Sequence, residues 1–290
     1  MCSALAVLAI AACGSDDDSG TTIAATTGIT ADLAARVAGP DANVEQVVPD
    51  GVSPHDFELS AQDRQELEEA DLVVANGAGL EAGIPLDEVD APRWLLSEHA
   101  GGLRPFEEPE GEEENAHGSA DPHLWMDPTR IADALPSLAD ALVDADPEHA
   151  GEYRRRAREY EADLRSLDRE IANTLTAVPA DDRSLVTSHD SLGYLADRYG
   201  FEVAATAFPA SGAEAEASAE QIQDVEDAVT ESGVAAIFAQ EGDDPETLRL
   251  VGDETGVEVE YGLLVESPSS AGSYEEMLRS DAGLIAEALR

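Results

Sequence analysis

The stretch PEHAGEYRRRAREYEADLRSLDREIANTLTAV, residues 147–178, decides the fold that we predict for this chain. Its apolar residues recur at spacings of three and four, from Tyr153 through Leu164 to Leu175, and arginine and glutamate fill many of the positions between them. This period is that of one face of an α-helix. The stretch therefore predicts a single long helix, roughly 45 Å in length if it is unbroken.

Short strands and helices alternate on both sides of this helix. Residues 22–27, 44–48 and 71–77 read as strands before it, and the alternation restarts with a strand at 184–187. Such alternation is typical of a parallel sheet with helices on its faces. The predicted fold class is α/β, with two lobes, each a mostly parallel sheet flanked by helices, joined by one long connecting helix.

Changes in composition divide the chain into four parts. We expect a signal remnant and tether at 1–21, a first α/β lobe at 22–145, the connecting helix at 146–178 and a second α/β lobe at 179–290. The segment 107–118 is rich in Glu, Pro and Gly and lacks apolar periodicity, which predicts an acidic loop. A single connecting helix is stiffer than a pair of hinge strands, so we do not expect a large closure of the lobes.

The charge of the chain excludes one class of partner. Its 290 residues carry a formal net charge of −47, from 63 acidic residues against 16 basic ones, and every basic residue is arginine. Such a chain repels nucleic acid. The acidic surplus suits a metal-capture role, but a high-salt habitat or a lysine-poor genome explains it better, because a diffuse charge is not a site.

The N-terminal residues resemble the lipobox of bacterial lipoprotein signal peptides. An apolar run at 3–12 leads through small residues to Cys13, and the polar stretch GSDDDSG follows. The resemblance implies that Cys13 is lipidated and holds the protein at the outer face of the cell membrane. The alternative is a buried N-terminal strand. Because no positively charged region precedes the apolar run, we expect the true start to lie further upstream.

Three of the six histidines lie in loops next to predicted strands or helices. His55 follows a strand in PDGVSPHDFE, His123 lies in the proline-bracketed turn ADPHLWMDP, and His189 lies in LVTSHDS, where a strand passes to a helix. In open α/β sheets ligands collect outside the carboxyl ends of the strands. Imidazole nitrogens suit zinc and other late divalent ions, although a capping or core histidine is the commoner explanation for any one of them.

Three segments that contain these histidines resemble the ligand motifs of a known family. PHDFE at 54–58, DPHLWMDP at 121–128 and TSHDSLGYL at 187–195 are similar to the three motifs of the zinc and manganese solute-binding proteins of ABC transporters. They occur in that family's order, and the similarity extends from about residue 22 to the C-terminus. The resemblance implies a protein that performs no catalysis, captures a divalent metal outside the cytoplasm and delivers it to a membrane permease.

The same resemblance implies a set of metal ligands. It assigns His55, His123 and His189, while the family's fourth ligand, an aspartate, is replaced in the matching stretch LLVES by Glu266. Manganese-selective relatives carry a glutamate where this chain has His189, and a nitrogen in place of an oxygen disfavours the harder ion. We therefore expect Zn²⁺ as the cargo, with Mn²⁺ as the alternative.

Two further questions stay open at this point. Asp56, Asp127 and Asp190 lie close to the histidines in sequence and are candidates to orient an imidazole, although helix capping explains such aspartates equally well. The alternatives to metal import are a zinc-dependent hydrolase, whose fourth position stays open for water, and an adhesin-type or scavenging surface lipoprotein without a permease. We expect a monomer.

Overall fold

The computed structural model describes residues 20–105, 120–206, 219–243 and 245–290. The predicted lipidation site at Cys13 and the predicted acidic loop at 107–118 lie outside these residues. Within them the chain forms two parallel sheets flanked by helices, with one long helix between the sheets in sequence. The predicted fold class is confirmed.

Four parallel strands make the first sheet: β1 (Thr21–Ala25), β2 (Ala42–Gln46), β3 (Leu72–Ala75) and β4 (Arg93–Leu95). Their order across the sheet is β2-β1-β3-β4, and the central strand β3 is buried along its whole length. The helices of this region are α1 (Gly28–Ala38), α2 (Ala61–Glu69) and α3 (Leu96–His99). A capping box begins α2, because the side chains of Ser60 and Asp63 each accept the other's backbone N–H.

The long helix begins later and ends earlier than predicted, and another helix precedes it. Helix α4 (Pro128–Ala145) runs into a 3₁₀ turn, Pro147–His149, and α5 (Ala150–Leu175) follows with 26 residues. The Asp146 side chain caps this turn by accepting the N–H of Glu148, and Pro147 stands at its first position, where a missing N–H donor is tolerated. The predicted buried face is confirmed, with Tyr153, Ala157, Tyr160, Leu164, Leu167, Ile171 and Leu175 all buried.

Four more parallel strands make the second sheet: β5 (Ser184–Thr187), β6 (Glu202–Thr206), β7 (Ala236–Gln240) and β8 (Glu258–Leu263). Their order is β6-β5-β7-β8. The helices here are α6 (Gly193–Tyr199), α7 (Ala219–Ser232), α8 (Pro245–Thr255) and α9 (Tyr274–Ala288). The sequence pattern does not predict β6, since its run EVAAT is rich in alanine and only half-buried at the sheet edge.

One hydrophobic cluster extends through both lobes. It includes Ile23 of β1, Leu33 of α1, Leu164 of α5, Phe238 of β7 and Ile285 of α9. The far faces of the two sheets have smaller clusters of their own, and the one in the second lobe joins β5 and β7 to α7 and α8. Helix α5 packs against α1, α4 and α9, so the two sheets are held at a fixed separation.

A buried carboxyl group lies within this shared core. Asp281 of α9 is fully buried, and its Oδ1 accepts the backbone N–H of Leu264 at 2.8 Å. Its Oδ2 has no hydrogen-bond partner among the described residues. Burial raises the pKa of Asp281 to about 7, because a desolvated carboxylate is disfavoured relative to the neutral acid.

We expect Asp281→Asn to stabilise the protein more at pH 8 than at pH 5. The pKa of this carboxyl rises from 3.8 to about 7 on folding, so between these values the folded state keeps a proton that the unfolded state has lost. Stability therefore falls as pH rises to about 7, by on the order of 3 kcal/mol between pH 5 and pH 8, and the neutral amide removes this dependence. Urea unfolding of both proteins at the two pH values measures it. A difference in stability that is the same at both pH values would contradict the expectation.

Candidate metal centre

The three predicted histidine ligands come together at the carboxyl edges of the two sheets. His55 lies in the loop after β2, His189 lies directly after β5, and His123 precedes the 3₁₀ turn Leu124–Met126 that leads into α4. The Nε2 atom of His123 lies 3.3 Å from Nε2 of His55 and 3.2 Å from Nε2 of His189. One ligand atom from each of the three histidines lies within 4.8 Å of the other two.

The spacing of these nitrogens fits one tetrahedral metal ion. Zn–N bonds of about 2.05 Å place two ligand nitrogens about 3.4 Å apart on a tetrahedron. The ring centroids lie 5.1 to 5.3 Å apart in tilted or edge arrangements, so ring edges rather than faces converge. His123 is fully buried, His55 is buried and His189 is partly exposed. The arrangement offers three nitrogen donors to one late divalent ion from a largely buried position.

Asp121 fixes the orientation of His123. Its Oδ1 lies 2.8 Å from Nδ1 of His123 and also accepts the backbone N–H of His123 at 2.9 Å. Both side chains are fully buried. A proton on Nδ1 that is shared with this carboxyl leaves the lone pair of Nε2 directed towards the other two histidines. This contact with Asp121 favours the tautomer of His123 in which Nε2 is free of a proton.

Groups from both lobes hold Asp121 in place. Tyr194 of α6 donates its hydroxyl hydrogen to the carbonyl of Asp121 at 3.0 Å, and the guanidinium of Arg104 lies 3.7 Å from Asp121 Oδ2. Tyr194 follows His189 by five residues in the chain. The hydrogen bond consequently ties the segment that carries His189 to the segment that carries His123.

The aspartate that lies against His123 is Asp121, and not one of the three that sequence proximity to the histidines suggests. Asp127 caps α4, where its Oδ1 accepts the N–H of Thr129 at 2.9 Å, so the capping alternative describes it. Asp121 stands two residues before His123 in the same DPH motif that the sequence singles out. Sequence proximity to His123 is shared by both aspartates, and only the fold of the turn decides which one reaches Nδ1.

The loop NGAGLE after β3 supports the same turn. The amide of Asn76 donates to the carbonyl of Pro122 at 3.0 Å, next to His123. The buried carboxyl of Glu81 accepts the backbone N–H groups of Asn76 and Gly77 at 2.7 and 3.0 Å, and burial raises its pKa. Gly77 has a φ of 76°, and an added Cβ would lie 2.4 Å from a side-chain oxygen, so glycine is required there.

Glu266 lies near the histidines but outside their cluster. It follows β8, and its Oε1 accepts the hydroxyl of Ser53 at 3.3 Å. In the described part of the chain the group of mutually close ligand atoms contains the three histidines and not Glu266. Burial raises the pKa of the Glu266 carboxyl, and His123 opposes this shift while Asp243 and Asp56 add to it. Coordination by Glu266 stays a prediction.

Comparison with known proteins gives the family. A family model described as "ZnuA: Zinc-uptake complex component A periplasmic" matches residues 23–288. The chain belongs to this family. Its members are solute-binding proteins of ABC transporters and not enzymes, so the hydrolase alternative is set aside. This chain is a metal-binding substrate-binding protein of the ABC-importer type.

Relatives of the chain differ in the metal that they are named for. The chain is 31% identical to the iron-binding protein YfeA of Yersinia pestis over 241 residues, which cover 82% of this chain and 75% of YfeA. It is 27% identical to the manganese-binding lipoprotein MntA of Bacillus subtilis (strain 168) over 301 residues, which cover 98% and 96% of the two chains.

A solved structure shares the fold. The periplasmic zinc-binding protein TroA from Treponema pallidum superposes with a TM-score of 0.82 at 24% identity, covering 93% of this chain and 99% of TroA. The two-lobed architecture of this chain is thus shared with that protein. No helix among the described residues is both long and apolar enough to span a bilayer.

We expect Asp121→Asn to weaken zinc binding by about tenfold or more, because removal of an outer-sphere carboxylate commonly costs 10–100-fold in metal affinity. Asp127→Asn is the matched control, since it lies in the same motif but caps α4 and should leave zinc affinity unchanged. Competition with a fluorescent chelator measures both affinities. Equal affinities for the two variants would show that Asp121 does not orient the ligand.

Proposed function

We propose that this protein captures Zn²⁺ outside the cytoplasm, with His55, His123, His189 and Glu266 as ligands, and delivers it to the permease of an ABC importer. The observation that carries the proposal is the convergence of the three histidines, in which Nε2 of His123 lies 3.3 Å from Nε2 of His55 and 3.2 Å from Nε2 of His189, close to the separation of two ligands on a zinc tetrahedron. Membership of the family supports metal capture. The choice of zinc depends on the donor atoms.

The donor atoms favour zinc over manganese. Three imidazole nitrogens suit zinc, whereas carboxylate, carbonyl and water oxygens suit manganese, and a given site binds Zn²⁺ more tightly than Mn²⁺ in the general order of divalent affinities. Relatives named for iron and for manganese exist, so membership of the family alone does not select the ion. His189 is the ligand that decides between the two metals in this proposal, because an imidazole nitrogen at that position disfavours manganese, which prefers oxygen donors.

Glu266 closes the fourth position in the proposed site. Its carboxyl lies close enough to His123 for the imidazole to influence its pKa, and Ser53 holds it by one hydrogen bond at 3.3 Å, which is long for an O–H donor. Exchange of this hydrogen bond for the metal completes a closed set of four protein ligands. A closed set suits a protein that holds an ion without performing chemistry on it, whereas catalytic zinc sites keep one position open.

The proposal includes a lipid anchor and a monomeric protein. Lipidation at Cys13 would hold the protein at the outer face of the membrane, within reach of a permease, and a relative that matches almost the full length of the chain is named a lipoprotein. The adhesin-type alternative stays a hypothesis. Adjacent genes for a permease and an ATPase would support import, and their absence would favour a scavenging or adhesive role.

Calorimetric titration of chelator-stripped protein with Zn²⁺ and Mn²⁺ in parallel tests the proposal. We expect one tight zinc site per chain and weaker manganese binding in the wild type. His189→Ala removes one nitrogen donor and should abolish the tight site. His149→Ala is the control, because His149 bonds to Asp146 before α5 and lies in no described ligand group. Unchanged zinc binding in His189→Ala, or zinc binding no tighter than to an acidic surface, would overturn the proposal.

A further inference from the structure

Helix α9 has two buried side chains that contact segments near the proposed metal site. Tyr274 begins the helix and Asp281 follows seven residues later, so both lie on the same face of α9. Both are fully buried. Neither residue belongs to the three histidine motifs or to the proposed ligand set, yet each contacts a segment that carries a proposed ligand.

Asp281 contacts the segment that carries Glu266. Its Oδ1 accepts the backbone N–H of Leu264 at 2.8 Å, two residues before Glu266. Leu263 and Val265 on either side are buried, so this stretch of backbone lies in the interior. If the acceptor were removed, the N–H of Leu264 would lose its partner, and the backbone would have to shift to find another.

Tyr274 contacts the segment that carries His123. Its hydroxyl donates to the carbonyl of Trp125, which stands two residues after His123. Trp125 in turn donates its indole N–H to the carbonyl of Val265 at 2.8 Å. The two segments are therefore joined to each other by Trp125 and joined to α9 by Tyr274 and Asp281. This closed set of hydrogen bonds determines their separation.

Helix α9 is itself fixed to the first lobe. Glu275, next to Tyr274, forms an ion pair with Arg36 of α1, and its Oε2 accepts the hydroxyl of Tyr160 of α5 at 3.3 Å. Met277 and Ile285 of α9 belong to the core cluster that both lobes share. A change at Asp281 consequently alters the backbone of the Glu266 segment rather than the placement of the helix.

We propose that Asp281 is a positioning residue that sets the place of the Glu266 carboxylate relative to His123, and that it thereby influences the choice of divalent ion. The inference depends on the proposed function, in which Glu266 is the fourth ligand. A carboxylate contributes a larger share of the affinity for a hard ion such as Mn²⁺ than for Zn²⁺, which the three nitrogens already hold. Displacement of Glu266 must therefore cost more manganese affinity than zinc affinity.

The structure supports a role for Asp281 beyond stability. Its side chain is fully buried, only one of its two oxygens has a hydrogen-bond partner within the described residues, and burial raises its pKa to about 7. A buried carboxyl with one unpaired oxygen destabilises the fold above its pKa, and at pH 8 the removal of this cost offsets the loss of the acceptor for the N–H of Leu264 in an apolar variant of similar shape. The role of the carboxyl is instead to accept the hydrogen bond from the backbone N–H of Leu264.

The test compares Asp281→Leu, which keeps the shape but removes the acceptor, with Asp281→Asn, which keeps an acceptor oxygen. We expect Asp281→Leu to lower zinc affinity by about tenfold and manganese affinity by a larger factor, and Asp281→Asn to restore both affinities to near the wild-type values. Unfolding measurements on the same samples should show Asp281→Leu to be as stable as the wild type or more so at pH 8. Loss of affinity without loss of stability separates positioning from a merely structural role.

A double-mutant cycle completes the design. In a Glu266→Ala background, Asp281→Leu should change neither zinc nor manganese affinity, because the positioned group is gone. Ile285→Ala, which removes a fully buried apolar side chain of α9 and keeps Asp281 as the acceptor for Leu264, is the control and should lower stability while it leaves the ratio of zinc to manganese affinity unchanged.

The measurements separate a failure of the proposed function from a failure of the role of Asp281. Wild-type protein that does not bind zinc would overturn the proposed function and this inference with it. If the wild type binds zinc tightly, either of two results would overturn the role of Asp281 alone. One is that Asp281→Leu lowers affinity equally in the presence and absence of Glu266. The other is that Asp281→Leu binds both metals as the wild type does.

Discussion

A hydrophobic core that is continuous between the two sheets determines the rest of the structure. Side chains of β1, α1, α4, α5, α6, β7 and α9 belong to one cluster, so neither lobe completes its interior without the other. Because such an interior is close-packed and resists compression, the strand edges that face each other keep a fixed separation. The fold therefore brings the three histidines together, with Nε2 of His123 3.3 Å from Nε2 of His55 and 3.2 Å from Nε2 of His189.

Periodicity predicts most of the fold and few of the contacts that make the site. The spacing of Tyr153, Leu164 and Leu175 gives the buried face of α5 directly, because that face is a local property of the helix. The start of α5 is less predictable, since the three residues before it form a separate 3₁₀ turn that the Asp146 side chain caps. Strand β6 is missed because a half-buried, alanine-rich edge strand has no alternation of apolar and polar residues to detect.

Some residues of the candidate site can likewise be predicted from the sequence, and others cannot. The motifs around His55, His123 and His189 are short and local, so sequence alone is enough to propose them. Asp121 and Trp125 act through contacts that depend on the conformation of a turn or that join residues 140 positions apart, and no local pattern encodes these. The position of the Glu266 carboxyl group also depends on such contacts, because the sequence motif locates its loop but not the direction of its side chain.

The outer layer of the second lobe has a separate interior. Helices α7 and α8 pack on the far face of β5 and β7 through a small cluster of mainly valine and isoleucine side chains that does not join the shared core. Units of this kind open as independent foldons, at a lower free energy than global unfolding. Local opening of this layer would expose the amides of α7 and α8 to solvent exchange before those of α5 and α9, whose side chains belong to the shared core.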